Sequence, residues 1–233
     1  MKERPILFSA SMVRALLDGS KTQTRRVVKP QPAGEIQRGE SGFNHWIDSK
    51  YWERKNQKEN RGIGTHGFPC PYGQPGDRLW VKEEHYLFGI WRIDGKRANG
   101  KPKYRFEADQ GMGAQFDEWP NGLITGGRNT EVPGWYKRIG MFMPRWASRS
   151  LDEIVSVRVE RLQDISEPDA IAEGIEPLYG AWRHYQTKPS INHHPAWSTA
   201  IGSYRSLWES INGTDSWAAN PCVWVIEFKR IAP

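Results

Sequence analysis

The chain has 233 residues, which is enough for one large domain or two small ones and for a substantial core. Its formal net charge of +6 and its pI near 9.3 favour an anionic partner such as a nucleic acid or a nucleotide, although an ordinary basic protein stays possible. It has no apolar run that could span a membrane and no apolar stretch typical of a secretory signal. Cys70 and Cys222 are far apart and form no CxxC motif, so we expect a reduced, cytoplasmic protein.

A short helix and a basic strand are predicted near the N-terminus, after a first strand over residues 5–8. Apolar residues recur with helical spacing over residues 11–18, and β-branched residues alternate over residues 22–28. Gly19 suits the left-handed position just past the end of the helix. The junction of the two elements and the first half of the strand have the sequence Gly19-Ser20-Lys21-Thr22-Gln23-Thr24-Arg25-Arg26. Because elements on both sides hold this stretch, Lys21 and Thr24 are expected to be fixed in space. A solvated basic face is the alternative.

The middle of the chain carries two irregular segments around a predicted strand over residues 79–88. Residues 34–74 show no sustained period and are expected to be loops and short strands. In the strand, Glu83 and Glu84 point to opposite faces, so Glu83 could face a cleft, while two solvated carboxylates remain an equal alternative. A hairpin turn at residues 94–96 and a return strand over 103–109 follow, and residues 111–138 are expected to be irregular.

Arg145, Trp146 and Arg149 form a second basic stretch. An arginine on a phosphate beside a tryptophan under a base is common at single-stranded nucleic-acid sites. The alternative is a buried tryptophan on which arginine stems pack.

In the C-terminal third, the sequence pattern predicts a strand over residues 153–163 and then a helix that is capped by Ser166 and ended by Gly174. A further helix is predicted over residues 196–211 and a last strand over residues 223–231. His184, His193 and His194 lack the spacing of a metal site, so we expect no metal and no cofactor.

Four stretches in order resemble the ASCH family of small β-barrels related to the PUA RNA-binding domain, in its longer phage and prophage form. The first is the pattern Gly-x-Lys-Thr-x-Thr-x-Arg, matched by Gly19, Lys21, Thr22, Thr24 and Arg26. The others are Gly76-Asp77-Arg78-Leu79-Trp80-Val81, Asp169-Ala170-Ile171-Ala172-Glu173-Gly174 and Val225-Ile226-Glu227-Phe228. The resemblance implies an α+β fold, namely one PUA-like/ASCH β-barrel domain over residues 1–233 with short flanking helices. Two long insertions are expected at about residues 33–75 and 89–142.

The resemblance also implies a cleft for nucleobases or nucleotides. One small bacterial member of the family removes the acetyl group from N4-acetylcytidine with a lysine, a threonine and a glutamate, which match Lys21, Thr24 and Glu173. We therefore expect these three side chains to converge on one cleft. The expected contacts to substrate or nucleic acid are Gly19, Arg25, Arg26, Glu83, Arg145, Trp146 and Arg149. The expected partner is a nucleoside or single-stranded RNA, bound by a monomer.

Three functions stay open from these residues. In an amidohydrolase, Lys21 with a lowered pKa would take the proton of the Thr24 hydroxyl, and a tight ion pair with Glu173 would weaken that role. In an RNA-binding or modified-base-binding module, Lys21 would be a permanent cation. In a ribonuclease-like protein, Lys21 would steady a phosphate charge.

Overall fold

The computed structural model describes residues 1–32, 36–38, 44–46, 70–125, 132–186 and 196–231, which form an α+β fold dominated by sheets. The α-helices of these residues are α1 (Ala10–Leu17), α2 (Glu167–Ala172) and α3 (Ala200–Asn212). Their strands are β1 (Glu3–Leu7), β2 (Gln23–Val27), β3 (Ile36–Arg38), β4 (Asn44–Trp46), β5 (Arg78–Lys82), β6 (His85–Lys96), β7 (Pro102–Ala108), β8 (Ala114–Gln115), β9 (Gly134–Arg138), β10 (Leu151–Arg161), β11 (Pro177–Leu178), β12 (Ala181–Arg183), β13 (Ala196–Trp197) and β14 (Cys222–Ile231). Within these ranges, no helix is both long and apolar enough to cross a membrane.

The backbone contacts divide the chain into two compact units. Unit 1 comprises Met1–Arg4, Arg14–Leu79 and Leu151–Pro233, and unit 2 comprises Pro5–Val13 and Trp80–Ser150. The prediction of a single domain is not tested by this division and stays a prediction. Most of the first expected insertion, about residues 33–75, lies outside the described residues.

A five-stranded sheet is hydrogen-bonded in the order β1-β5-β10-β14-β2. β14 pairs antiparallel with β10 on one side and with β2 on the other, and places Ile226 opposite both Val157 and Thr24. Val223, Val225 and Ile226 are fully buried, which makes β14 the centre of the core of unit 1. The described strands form this sheet without closing into a barrel.

The helix ends predicted at Gly19, Ser166 and Gly174 are confirmed. Gly19 follows α1 with φ +85°. The Ser166 hydroxyl accepts from the Asp169 amide at the start of α2, and Gly174 follows its end with φ +80°. The last helix was predicted to start at residue 196, but α3 starts at Ala200 because the Thr199 hydroxyl caps it, while Ala196 and Trp197 form β13.

Unit 2 is built around β6, which pairs with β7, β8 and β9. The single strand predicted over residues 79–88 is wrong, since β5 ends at Lys82 and β6 begins at His85. The hairpin turn lies at residues 97–100 rather than 94–96, because Asp94 and Lys96 belong to β6. The segment predicted to be irregular supplies β8 and β9 to this sheet.

Candidate functional site

The end of α1 and the end of α2 meet at an isolated antiparallel bridge between Lys21 and Glu173. The Lys21 amide donates to the Ala15 carbonyl at 2.8 Å, and the Thr22 amide donates to the Ala172 carbonyl at 2.9 Å. Gly174 lies against this junction: a Cβ there would come within 2.8 Å of the Cβ atoms of Ala15 and Lys21. Backbone hydrogen bonds and the close packing at Gly174 therefore hold both segments in place.

The Lys21 ammonium is enclosed by three acceptors. Its Nζ donates to the Gln23 carbonyl at 2.8 Å, to the Glu173 carbonyl at 2.7 Å and to Glu173 Oε2 at 3.2 Å. Both residues are buried, with Lys21 2% and Glu173 4% exposed. Burial lowers the pKa of Lys21, and the charges of Arg26 and Arg25 lower it further, whereas Glu173 opposes the shift.

Arg25 shares the Glu173 carboxylate. Its Nη1 donates to Glu173 Oε1 at 3.3 Å, and its Nη2 donates to Glu160 Oε2 at 3.1 Å and to Asp169 Oδ2 at 3.0 Å. Its side chain is fully buried. Arg25 therefore links β2, β10 and α2 within unit 1, and the contact with nucleic acid that was expected of it stays a prediction.

Arg158 extends these contacts along the sheet. It is ion-paired with Glu160 and Glu227, and its Nη2 lies 3.4 Å from Asp169 Oδ2. The register explains the cluster, because β14 places Glu227 opposite Gln23 on one side and opposite Ser156 on the other. We call this set the ion network: three cations, Lys21, Arg25 and Arg158, with four carboxylates, Glu160, Asp169, Glu173 and Glu227.

Thr24 is buried in β2, opposite Ile226 of β14. Side chains alternate along a strand, so Thr24 points to the face opposite Gln23 and Arg25. Among the described residues its hydroxyl makes no hydrogen bond to Lys21 or to Glu173. The structure thus brings Lys21 and Glu173 together, and the convergence of all three side chains on one cleft stays a prediction.

Arg26 lies on the same face of β2 as Thr24 and lines an open cleft of about 300 Å³ in unit 1. The other lining residues are Val27, Lys29, Pro71, Tyr72 and Asn212. Two cations, one aromatic ring and one carboxamide therefore face the same space. Gly19 is exposed at the turn between α1 and β2.

Glu83 and Arg149 meet in unit 2, where they were not expected to be partners. Arg149 donates through Nε and Nη2 to the two Glu83 oxygens at 3.0 Å each, and through Nη1 to Asp117 Oδ2 at 2.6 Å. Its guanidinium also lies 4.3 Å from the centre of the Phe116 ring. Burial raises the pKa of Glu83, although Arg149 opposes that shift. In this arrangement Arg149 donates to two carboxylates, and the contacts to substrate or nucleic acid expected of Glu83 and Arg149 stay predictions.

Arg145 and Trp146 remain on the surface of unit 2. Arg145 is exposed and Trp146 is 38% exposed, on a 3-10 turn over Arg145–Ala147. His184 stacks on Trp197 with ring centroids 5.4 Å apart, and His193 and His194 lie outside the described residues. In the part of the chain that the structure describes, no group of three His, Cys, Asp or Glu side chains could hold a metal ion.

Sequence reasoning placed Glu173 near Lys21 but missed the carboxylates that bind Arg25 and two of the cleft residues, Lys29 and Tyr72. Side chains alternate between the two faces of a strand. With the register of β2, β10 and β14 known, this alternation would have placed Gln23, Arg158 and Glu227 on the same face of the sheet. Nothing in the sequence sets that register. Tyr72 stands in a stretch rich in Pro and Gly, and no local pattern connects that turn with β2.

In comparisons with known proteins, no family model, no curated protein and no solved structure matches this chain.

Proposed function

We propose that this protein is a nucleic-acid-directed member of the ASCH group that binds single-stranded RNA or a nucleotide through the cleft of Arg26, Lys29 and Tyr72. The observation that carries the proposal is the composition of that cleft. Arg26 and Lys29 supply positive charge for a phosphate, and the Tyr72 ring supplies a surface on which a base stacks. The side-chain amide of Asn212 offers both a donor and an acceptor to a base edge.

The size and charge of the site suit this ligand. A volume of about 300 Å³ is at the lower end for ligand sites, which fits one nucleotide and not a longer piece of chain. The net charge of +6 favours the approach of an anion to the protein as a whole. Lys21 Nζ contacts three acceptors, so Lys21 would have to lose a proton and one of these hydrogen bonds before it could act as a base, and this favours the binding function over catalysis.

The test is binding of an oligo(U) RNA and of cytidine monophosphate, measured at several salt concentrations. The wild type is expected to lose affinity as salt rises, with a slope in log K against log salt of about −0.7 per phosphate contact. The variant R26A/K29A is expected to bind more weakly, and its slope is expected to be less negative than that of the wild type by up to about 1.4. Lys229→Ala, which removes another exposed cation of unit 1, is the matched control. Unchanged binding by R26A/K29A would overturn the assignment of the cleft.

A second candidate is hydrolysis of an N4-acylated cytidine, favoured by the direct contact of Lys21 with Glu173 and by the lowered pKa of Lys21. In that reaction the Thr24 oxygen attacks the acyl carbon while its proton passes to neutral Lys21. The carbon–nitrogen bond breaks as the amine nitrogen takes a proton, and water then releases the acid from Thr24. Lys21 must first lose a proton and release one of its three acceptors, so the geometry ranks this candidate second.

This candidate is tested by release of acetate from N4-acetylcytidine. Lys21→Arg is expected to lower turnover by about 100-fold or more, since arginine keeps its charge and cannot act as a base. Thr24→Ser is expected to keep some turnover, and Thr24→Val is expected to abolish it. If the wild type releases no acetate and binds RNA through the cleft, the hydrolase is rejected and the binding function stands.

A further inference from the structure

The hairpin of β6 and β7 ends in a two-stranded ribbon that is open to solvent. Every residue from Arg92 to Lys103 is exposed, whereas β6 is buried at its start, over His85–Leu87. A Cβ placed at Gly95 or at Gly100 would meet no atom within 4 Å. The end of the hairpin is therefore accessible on both of its faces, which a partner that surrounds it would require.

The turn at the end of this ribbon is closed by its own hydrogen bonds. The Arg97 amide donates to the Lys101 carbonyl at 2.8 Å, and the Gly100 amide donates to the Arg97 carbonyl at 2.9 Å. The Lys101 amide also donates to the side-chain oxygen of Asn99 at 3.2 Å. Lys96, Arg97 and Lys101 are thus carried by a hydrogen-bonded turn at the end of two paired strands.

Residues 92–107, which we call the basic ribbon, carry a positive charge that their own ion pairs do not cancel. The cations are Arg92, Lys96, Arg97, Lys101, Lys103 and Arg105, and the carboxylates are Asp94 and Glu107, which leaves a surplus of four positive charges. Glu107 pairs with Arg92 and Arg105, and Asp94 pairs with Lys103. Among the described residues, Lys96, Arg97 and Lys101 have no carboxylate partner. The ribbon therefore attracts a polyanion and repels a second copy of itself.

The side chains at the end of the ribbon suit phosphates rather than unpaired bases or lipid. Residues 94–103 contain no aromatic and no large aliphatic side chain. Single strands are held by bases that stack on aromatic rings, and membrane surfaces take up large apolar side chains. Nearer the body of unit 2, the Arg138 guanidinium already lies 4.7 Å from the centre of the Trp91 ring and 4.5 Å from that of Phe106. A duplex, whose bases stack on one another, needs only the cations.

We propose that the basic ribbon binds double-stranded DNA by lying in its major groove, where Lys96, Arg97 and Lys101 contact phosphates. Neighbouring strands are about 4.8 Å apart, and the major groove of B-form DNA, about 12 Å wide, admits a two-stranded ribbon. The major groove of duplex RNA is too narrow for this. Because phosphate contacts carry no sequence information, we expect binding to DNA of any sequence. This activity goes beyond the proposed function and involves none of the cleft residues.

The experiment measures binding of a DNA duplex of mixed sequence to the full chain at several salt concentrations. K96A/R97A/K101A is expected to weaken duplex binding by at least about tenfold at low salt, with a slope of log K against log salt less negative by up to about 2.7. R14A/R205A/K229A is the matched control, because it removes as many exposed cations from unit 1. We expect it to change the affinity by less than about threefold, since salt screens distant charges. K96R/R97K/K101R keeps the charges and is expected to bind like the wild type.

Loss of duplex affinity in K96A/R97A/K101A, with R14A/R205A/K229A close to wild type, supports the ribbon. Equal duplex binding by wild type and K96A/R97A/K101A overturns it, and so does an equal loss in both triple variants, which would assign binding to net charge alone. Duplex RNA, oligo(U), polyglutamate and phosphatidylserine vesicles are measured beside the DNA, and a larger effect of K96A/R97A/K101A on any of these than on the DNA duplex overturns the choice of partner.

Cytidine monophosphate separates this proposal from the cleft. Its binding is expected to weaken in R26A/K29A and to stay unchanged in K96A/R97A/K101A, whereas duplex binding is expected to show the opposite pattern. Failure of the cleft variant to weaken nucleotide binding overturns the cleft alone and leaves the ribbon standing.

Discussion

Glu173 offers Lys21 two acceptors of different kinds, its backbone carbonyl at 2.7 Å and its carboxylate at 3.2 Å. The two residues are 152 positions apart in the chain. The other carboxylate oxygen of Glu173 accepts from Arg25 at 3.3 Å. One buried carboxylate thus pairs with two buried cations. Loss of the Glu173 carboxylate should therefore lower the free energy of unfolding more than loss of the Lys21 ammonium does.

Glu173→Gln is expected to destabilise the protein more than Lys21→Met does. The amide removes the carboxylate that Lys21 shares with Arg25; Arg25 keeps Glu160 and Asp169, but the buried Lys21 charge loses its paired carboxylate, and breaking a buried pair in this way costs about 3–5 kcal/mol. Lys21→Met leaves Glu173 still paired with Arg25, so we expect a loss of about 1–3 kcal/mol. Urea unfolding of both single variants and of the double variant measures the difference and the coupling. Equal losses, or a double variant whose loss is the sum of the two, would contradict a shared carboxylate.

Arg25→Lys is expected to behave as a severe substitution, although it keeps the charge. The guanidinium reaches Glu173 with one nitrogen and Glu160 and Asp169 with another, and a single ammonium nitrogen cannot span those positions. We expect a loss of about 2–4 kcal/mol in the free energy of unfolding. The adjacent Arg26→Lys is the control, because Arg26 lines the open cleft, and its change is expected to stay within about 0.5 kcal/mol. A comparable effect of the two substitutions would refute the role given to Arg25.

Gly174→Ala tests whether the close approach of α2 to Lys21 is required. A left-handed conformation costs a residue with a Cβ about 1–2 kcal/mol. At Gly174 the new methyl group would also meet the Cβ atoms of Ala15 and Lys21 at 2.8 Å. We expect a loss of about 2–4 kcal/mol in thermal or urea unfolding, since overpacking adds to the backbone strain. Gly19→Ala has the same backbone strain at φ +85° and open space around its Cβ, so it should lose only about 1 kcal/mol.

Local structure could be read from the sequence wherever a short-range signal sets it. Gly19, Ser166 and Gly174 mark helix ends because a left-handed glycine or a capping hydroxyl acts on residues within one turn. The contact of Lys21 with Glu173 was expected on the basis of the family resemblance alone. No periodicity in the sequence connects positions so far apart.

The ion network could not be predicted, because it depends on the register of β10, β14 and β2. Arg25, Arg26 and Arg149 look alike in the sequence as cations of basic stretches. The structure separates them by their neighbours: Arg25 and Arg149 face carboxylates brought in from other strands and loops, and Arg26 faces the cleft. Glu83 was predicted to lie within a strand, whereas it lies between the end of β5 at Lys82 and the start of β6 at His85, where it binds Arg149.

The Gly76-Asp77 turn gives the protein a pH-dependent contribution to stability. Asp77 Oδ1 accepts from the Lys2 amide at 2.7 Å and Oδ2 accepts from the Gln74 amide at 3.3 Å. The bond from Lys2, more than any other contact, holds the pKa of Asp77 below its ordinary value, while burial opposes the shift. Because the folded-state pKa is the lower one, the unfolded chain binds more protons between the two values. The contribution is therefore complete above the ordinary aspartate pKa, about 3.9, and is lost as the pH falls through the folded-state value.

Asp77→Asn is expected to destabilise the protein by about 1–2 kcal/mol at pH 7, because an amide retains one acceptor oxygen and the bond from Gln74 or from Lys2 is lost. The difference from wild type should shrink as the pH falls below about 4, since protonated Asp77 no longer gains from those bonds. Urea unfolding of both proteins from pH 7 to pH 3 measures it. Glu118→Gln removes an exposed carboxylate and should show a small difference that hardly changes over the same range. A difference between wild type and Asp77→Asn that grows towards acid pH would show that the Lys2 and Gln74 amides do not stabilise the ionised carboxylate.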